Sequence, residues 1–383
     1  MRITVLYPFF DHPAIEERYA SWQTQMRLRQ ASDDVYLSTY DRRKSAADAA
    51  AMVAGEYVLV VTDPLLVPSP GVADRLMRAL DATAAEAAVP VTNEAANAAQ
   101  RVAAPAPYLT LRELETAALK LPQTQPATVA WDDSDPGLFL CRTAWLASIR
   151  GPVTRALAKR KVAIARDAFV HRWPVMRAGA RQDLLPLIDP AASSVLETGC
   201  GEGSLGALVK QRQKCRYVGI ELDRNAAAIA RRCLDDVYCG DVNEIVAILE
   251  EKFEVIVCSE ILEHVSDPWT LLMSLRDVCE PGGRIVISIP NIATAAVIAD
   301  LLQGRFEYTY VGLVCAGHLR FFTRRSIEEM MSIAGWQIER IEPQHVPSSG
   351  AEELVRELET RGIAFSREDL LPTGFYVIAR NGR

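Results

Sequence analysis

The chain has 383 residues, 49% hydrophobic and 24% charged, with a formal net charge of −7. That length asks for two or three domains, and that composition is one of ordinary globular proteins. The negative balance argues against general nucleic-acid binding, although a local basic patch stays open. The first apolar run, Ile3 to Phe10, is too short for a membrane span and stops at Asp11. Nothing in it resembles a secretory signal. The eight cysteines form no C-x-x-C pair and no zinc spacing, so reduced thiols and a cytoplasmic location are expected.

In chain order, Ile3–Leu6 reads as a strand and Pro13–Arg29 as a helix. Val35–Ser38 is a second strand, and an Ala-rich helix covers Ala46–Ala54. Glu56–Val61 is apolar on both faces, as in a covered parallel sheet. Thr62-Asp63-Pro64 ends it, and a helix starts after Pro70-Gly71. Ala82–Pro107 is rich in Ala and Pro and reads as a helix plus a loose connection. The alternation is α/β. A boundary is expected near Arg172-Trp173-Pro174, giving domains 1–173 and 174–383. Arg181–Leu187 reads as a short helix.

The informative stretch is Val195-Leu-Glu-Thr-Gly199-Cys-Gly201-Glu-Gly203-Ser-Leu-Gly206, with Glu221 closing the next apolar run. A strand ending in a glycine turn, with a carboxylate on the second strand, suits a nucleotide: the backbone approaches closely and the acid takes ribose hydroxyls. Gly201, Gly203 and Gly206 fit G-x-G-x-x-G, the dinucleotide pattern; Gly199, Gly201 and Gly203 fit G-x-G-x-G. Cys200 reads as a small packing residue. Downstream come Cys239-Gly-Asp241-Val242 and the strand Phe253–Ser259, running into Glu260-Ile-Leu-Glu263-His264. Glu280-Pro-Gly-Gly283 then leads into a strand to Pro290, His318-Leu-Arg-Phe-Phe-Thr323 follows, and Gly374–Ala379 is a terminal strand.

From about residue 178 to 380, these motifs and their order resemble class I S-adenosylmethionine-dependent methyltransferases. The resemblance implies a Rossmann-like seven-stranded sheet, mostly parallel with one antiparallel strand. It implies cofactor contacts from Glu197, Gly199, Cys200, Gly201, Gly203, Glu221, Leu222, Asp241, Val242, Ser259 and Glu260. His264 and His318 fall in loops bordering the methyl-transfer site and are the candidate catalytic residues. Glu260, Glu263, His264 and His318 also resemble the metal-binding set of some small-RNA 2′-O-methyltransferases and of part of the quinone O-methyltransferases. If residues 260–264 start a helix, 260, 263 and 264 share one face. The alternative is a metal-free site in which His264 is the base. Residues 291–322, with the aromatics of Gly304–Tyr310, are expected at the acceptor.

The first half resembles, more weakly, an inverting glycosyltransferase of the A-type fold, through Tyr57–Leu80, Asp133–Arg142 and Ala165–His171. Pro64 stands where a second acid would follow Asp63, which implies a degenerate, binding-only domain. Asp63 remains its nucleotide-sugar candidate, and Asp132, Asp133 and Asp135 are further carboxylates for an active version. The combined expectation is O-methylation of a sugar, nucleotide-sugar or glycan acceptor. A quinone-like phenolic acceptor, a bifunctional enzyme and a non-catalytic scaffold are the alternatives. The acceptor and the oligomeric state are not fixed by the sequence.

Overall fold

The computed structural model describes residues 3–10, 14–29, 35–41, 45–102, 109–121, 125–172 and 181–382. It divides into two compact units, Met1–Pro174 with Arg305–Gly317, and Val175–Gly304 with His318–Arg383. The boundary expected at 173/174 lies outside the described residues, as do residues 103–107 of the Ala- and Pro-rich stretch.

The first unit begins β1 (Ile3–Pro8), α1 (Ile15–Arg29), β2 (Val35–Tyr40), α2 (Ala46–Ala50), β3 (Tyr57–Val61) and β4 (Leu66–Pro68). It continues α3 (Val72–Asp81), β5 (Ala87–Thr92), α4 (Leu111–Leu119), β6 (Ala127–Ala130), β7 (Leu138–Arg142), α5 (Thr143–Ser148) and β8 (Lys161–Arg172). The sheet order is β2-β1-β3-β7-β5-β8-β4, with β6 also paired to β8. β1 runs parallel to β2 and β3, and β7 runs antiparallel to both its neighbours. Both faces are covered. Val58 and Val60 pack into one core and Leu59 and Val61 into the other, the period-2 alternation of a strand.

One expectation fails here. Ala87–Thr92, taken as part of a helix and loose connection, is a fully buried strand. Alanine's helix preference is worth only tenths of a kcal/mol per residue, and burial between β7 and β8 outweighs it. Pro90 is tolerated because the β5–β8 register shifts between Pro90 and Val91.

The second unit runs β9 (Ser194–Thr198), α6 (Ser204–Arg212), β10 (Arg216–Glu221), α7 (Arg224–Ala230), β11 (Asp236–Cys239), α8 (Val242–Val246) and β12 (Phe253–Ser259). Then follow α9 (Pro268–Asp277), β13 (Cys279–Pro290), α10 (Ala295–Leu301), α11 (Arg324–Ile333), β14 (Trp336–Gln344), α12 (Ser349–Thr360), α13 (Arg367–Leu370) and β15 (Gly374–Asn381). Its seven-stranded sheet has the order β11-β10-β9-β12-β13-β15-β14. β15 is antiparallel to both neighbours, and β9 to β13 are parallel. Val195 and Val257 fill one face, Leu196, Ile256 and Cys258 the other. Each such fully buried Val or Ile contributes roughly 1.5–3 kcal/mol. The strand order reverses at β9, so the parallel carboxyl ends of β9, β10 and β12 frame a ligand crevice. No helix among the described residues is long and apolar enough to cross a membrane.

Candidate functional site

β9 ends in the glycine turn because three successive odd positions need left-handed backbone: φ is 69° at Gly199, 53° at Gly201 and 81° at Gly203. Side chains other than glycine rarely adopt such angles. Gly203 then opens α6. Glu221, at the end of β10, accepts hydrogen bonds from the Gly201 amide (2.8 Å) and the Asp223 amide (2.8 Å), so the acid is fixed against the turn. Cys200 is buried beneath it, and a β-carbon on Gly219 would lie 2.5 Å from its sulfur. Burial, before the nearby acids, pushes its thiol pKa up, as fits a packing residue.

Glu197 is buried within β9 and accepts a hydrogen bond from the Tyr217 hydroxyl at 3.0 Å. Burial raises its pKa to about 8; the Tyr217 bond opposes this and the Glu221 charge adds to it. Beyond β10, Leu222 is 71% exposed. Asp241 caps α8 through the Asn243 amide, next to half-buried Val242.

The segment after β12 is not a helix start. Residues 262–264 form a turn, closed by the His264 amide on Ile261 O at 3.0 Å, with Glu260 at φ 53°. α9 starts later because Asp267 caps it and Pro268 occupies its first turn. The turn still brings groups together. Ligand atoms of Glu263, His264 and His318 all lie within 4.8 Å of one another. The two imidazole rings meet edge to face with centroids 4.8 Å apart. The amides of Leu319 and Arg320 donate to Glu263 O, at 2.7 and 3.1 Å, and this pins the His318 segment to the turn. Glu260 falls outside that trio. Its carboxylate accepts from Ser288 and lies 3.9 Å from Arg181.

Glu263 is fully buried, and among the described residues neither carboxylate oxygen has a partner in hydrogen-bond geometry. Burial first, and then the Glu260 charge, raises its pKa well above the carboxylate range. An orphaned buried carboxylate beside two imidazoles is a costly arrangement unless a cation or proton accompanies it. The donor set therefore fits a divalent ion with mixed nitrogen and oxygen preference.

Spacing gives no signal for Arg181. Its guanidinium donates to Ser259 (2.6 Å) and Ser288 (3.1 Å) and is ion-paired with Asp183 (2.8 Å). It stands at the ends of β12 and β13, among the acids. The aromatics expected at the acceptor, within residues 305–317, belong to the first compact unit. There Tyr308 meets Tyr19 of α1 edge to face at 5.6 Å, and its carbonyl accepts from Gln23 at 2.9 Å. Arg320 donates to Ser266 O at 2.5 Å.

In the first unit, Asp63 accepts from the Leu65 amide at 2.9 Å and lies 3.4 Å from the Arg172 guanidinium. Asp135 accepts from the Gly137 amide (2.8 Å) and from Thr62; Asp132 accepts from the Ser134 amide at 3.0 Å. Asp133 is exposed. Two of these three acids build turns, and Arg172 already balances Asp63. A hard cation wants several oxygen ligands, and this turn does not fit one.

Residues 171–341 match the family model described as "Methyltransferase domain". The C-terminal half of the chain is a class I S-adenosylmethionine-dependent methyltransferase domain. A ubiquinone biosynthesis O-methyltransferase from Pseudomonas paraeruginosa is 32% identical over 141 residues, covering 33% of this chain and 60% of that protein. The protein of the same name from Aeromonas salmonicida is 26% identical over 149 residues, covering 37% and 61%. The chain thus spans about 60% of the length of these curated relatives. Among solved structures, a SAM dependent methyltransferase from Archaeoglobus fulgidus aligns at 18% identity and TM-score 0.40, over 52% of this chain and 91% of that one.

Proposed function

We propose that the chain transfers a methyl group from S-adenosylmethionine to a hydroxyl of a small phenolic, quinone-like acceptor. The carrying observation is the convergence of Glu263, His264 and His318 beyond β12. The relatives named for ubiquinone biosynthesis support the phenolic acceptor over the sugar. In this reading, Glu197 and the backbone of Gly199, Cys200, Gly201 and Gly203 receive the methionine end. Glu221 takes the ribose, and Leu222, Asp241 and Val242 the adenine. Ser259, Glu260 and Arg181 complete the wall, with Arg181 the cation for the cofactor's carboxylate.

Methyl transfer from a sulfonium is an in-line displacement, so alignment and exclusion of water are the protein's first tasks. The acceptor hydroxyl must also lose its proton. His264, exposed at the mouth, receives it, and the edge-on His318 ring holds that imidazole in place. In place of that base, a divalent ion held by Glu263, His264 and His318 would lower the hydroxyl's pKa.

The glycosyltransferase A-like reading of the first unit is kept in its inactive form, supported by the Asp63–Arg172 pair. The test is labelled-methyl transfer to catechol probes and, in parallel, to nucleotide sugars. His264→Ala and His318→Ala should retain cofactor binding and lose roughly 10²–10⁴-fold in turnover, the usual scale for a proton-transfer residue. Unchanged turnover in both variants refutes the assignment, and methylation of sugars alone moves the acceptor to the glycan reading. Asp63→Ala should leave any sugar-nucleotide hydrolysis unchanged.

A further inference from the structure

A second concavity lies at the other end of the methyltransferase sheet. It is a cleft of about 420 Å3 beside β14 and β15, with β9, β12 and β13 between it and β10 in the strand order. That volume falls within the roughly 300–1,000 Å3 of small-molecule sites. Its apolar lining includes Ile341, Leu371 and Phe375; its polar lining includes Arg324, Arg367 and His345. Glu368 is the acid among the lining residues.

The geometry points to a second ligand site here, taking an amphipathic monocarboxylate with a flat apolar body of about two fused rings. The apolar lining takes the body and Arg324 takes the carboxylate. Arg324 begins α11, where the helix dipole also favours negative charge. Its present partners are weak competitors. Glu368 lies 2.8 Å away but its side chain is 80% exposed, and Glu328 is an i,i+4 partner at 3.3 Å. Exposed pairs of this kind are worth about 0–1 kcal/mol. Arg324 is only 34% exposed, so a carboxylate carried in by an apolar body meets it with less water and in a bidentate fork. Arg367, paired with Glu359, stands at the rim.

The cleft's wall is rigidly placed. The Asn291 side chain, fully buried just past β13, donates to Asp369 O (2.7 Å) and Pro372 O (2.9 Å). The Thr373 amide donates to Gln344 O at 2.8 Å. A preformed wall spares a ligand the ordering cost of making one.

The probes are 2-naphthoate and its neutral isostere 2-naphthamide, titrated calorimetrically into the full chain with and without saturating S-adenosylhomocysteine. Naphthoate is expected to bind one per chain, roughly tenfold or more tighter than the amide, as one charge-assisted contact requires. S-adenosylhomocysteine should not displace it. Arg324→Gln should weaken naphthoate by about the same factor and leave the amide unchanged; Arg324→Lys should recover part of the loss. Leu371→Ala should weaken both probes. Equal affinity for the two probes in the intact protein, displacement by S-adenosylhomocysteine, or no binding at millimolar concentration overturns the site. The intact-protein comparison stands even where a variant fails to fold.

Discussion

Replacing Glu197 by Gln isolates a single buried proton. Glu197 sits fully enclosed in β9 with its carboxyl pKa raised to about 8 from an ordinary 4.5, because burial disfavours the charged form. Between those values the folded chain holds a proton that the unfolded chain has released. Stability therefore falls as pH rises, fully present below about 4.5 and lost by the time pH passes 8. At about 1.4 kcal/mol per pK unit, a shift from 4.5 to about 8 is worth on the order of 5 kcal/mol. Gln keeps an acceptor for the Tyr217 hydroxyl and carries no titrating proton. The assay is urea unfolding of both proteins from pH 4.5 to 8.5, following the transition that S-adenosylhomocysteine moves to higher urea. Groups common to both proteins cancel in the difference. Glu197→Gln should gain on the parent by roughly 1 kcal/mol or more per pH unit across that window. A difference that stays flat with pH refutes a buried, protonated Glu197.

Glu221→Gln should raise the Kd for S-adenosylmethionine by roughly 10–100-fold, since a ribose hydroxyl bonded to a charged acceptor is worth about 1.5–3 kcal/mol. Equilibrium dialysis reads this, and an unchanged Kd removes Glu221 from the cofactor site. Exhaustive chelation should lower turnover by at least about tenfold, with recovery on adding a divalent ion. Full activity after chelation, with no metal in the purified protein, leaves the histidines as a metal-free pair. Gly206→Ala should destabilise the second unit by roughly 1–3 kcal/mol, because its β-carbon would lie 2.4 Å from Leu234 and 2.7 Å from Tyr217. Alanine's better helix propensity favours the opposite result, so a raised melting temperature would show that α6 shifts to make room.

What the sequence made legible follows its local chemistry. Continuous apolar runs such as Tyr57–Val61 and Val255–Cys258 are strands, because a doubly covered sheet buries both faces of such a run. The glycine turn and the position of Glu221 are likewise local facts. Ala87–Thr92 misled because its alanines carry a helical preference that only its neighbours in the sheet override. The turn at 260–264 misled because carboxylates and a histidine at helical spacing also meet across a tight turn, and the N-cap at Asp267 decides where the helix begins. Arg181 was illegible. It follows no spacing rule, and its value comes from Ser259 and Ser288, 78 and 107 residues away in sequence.

Residues 305–317 have a consequence for the order in which the protein is made. They belong to the first compact unit, yet they are encoded after β9 to β13 of the second. During vectorial synthesis, α1 waits for its partner Tyr308 until most of the methyltransferase sheet has left the ribosome. The N-terminal unit is thus complete only at residue 317, after β9 to β13 of the second unit and before its β14 and β15. An expressed fragment ending near residue 174 lacks the Tyr308 contacts to Tyr19 and Gln23, and one beginning there carries Tyr308 without Tyr19.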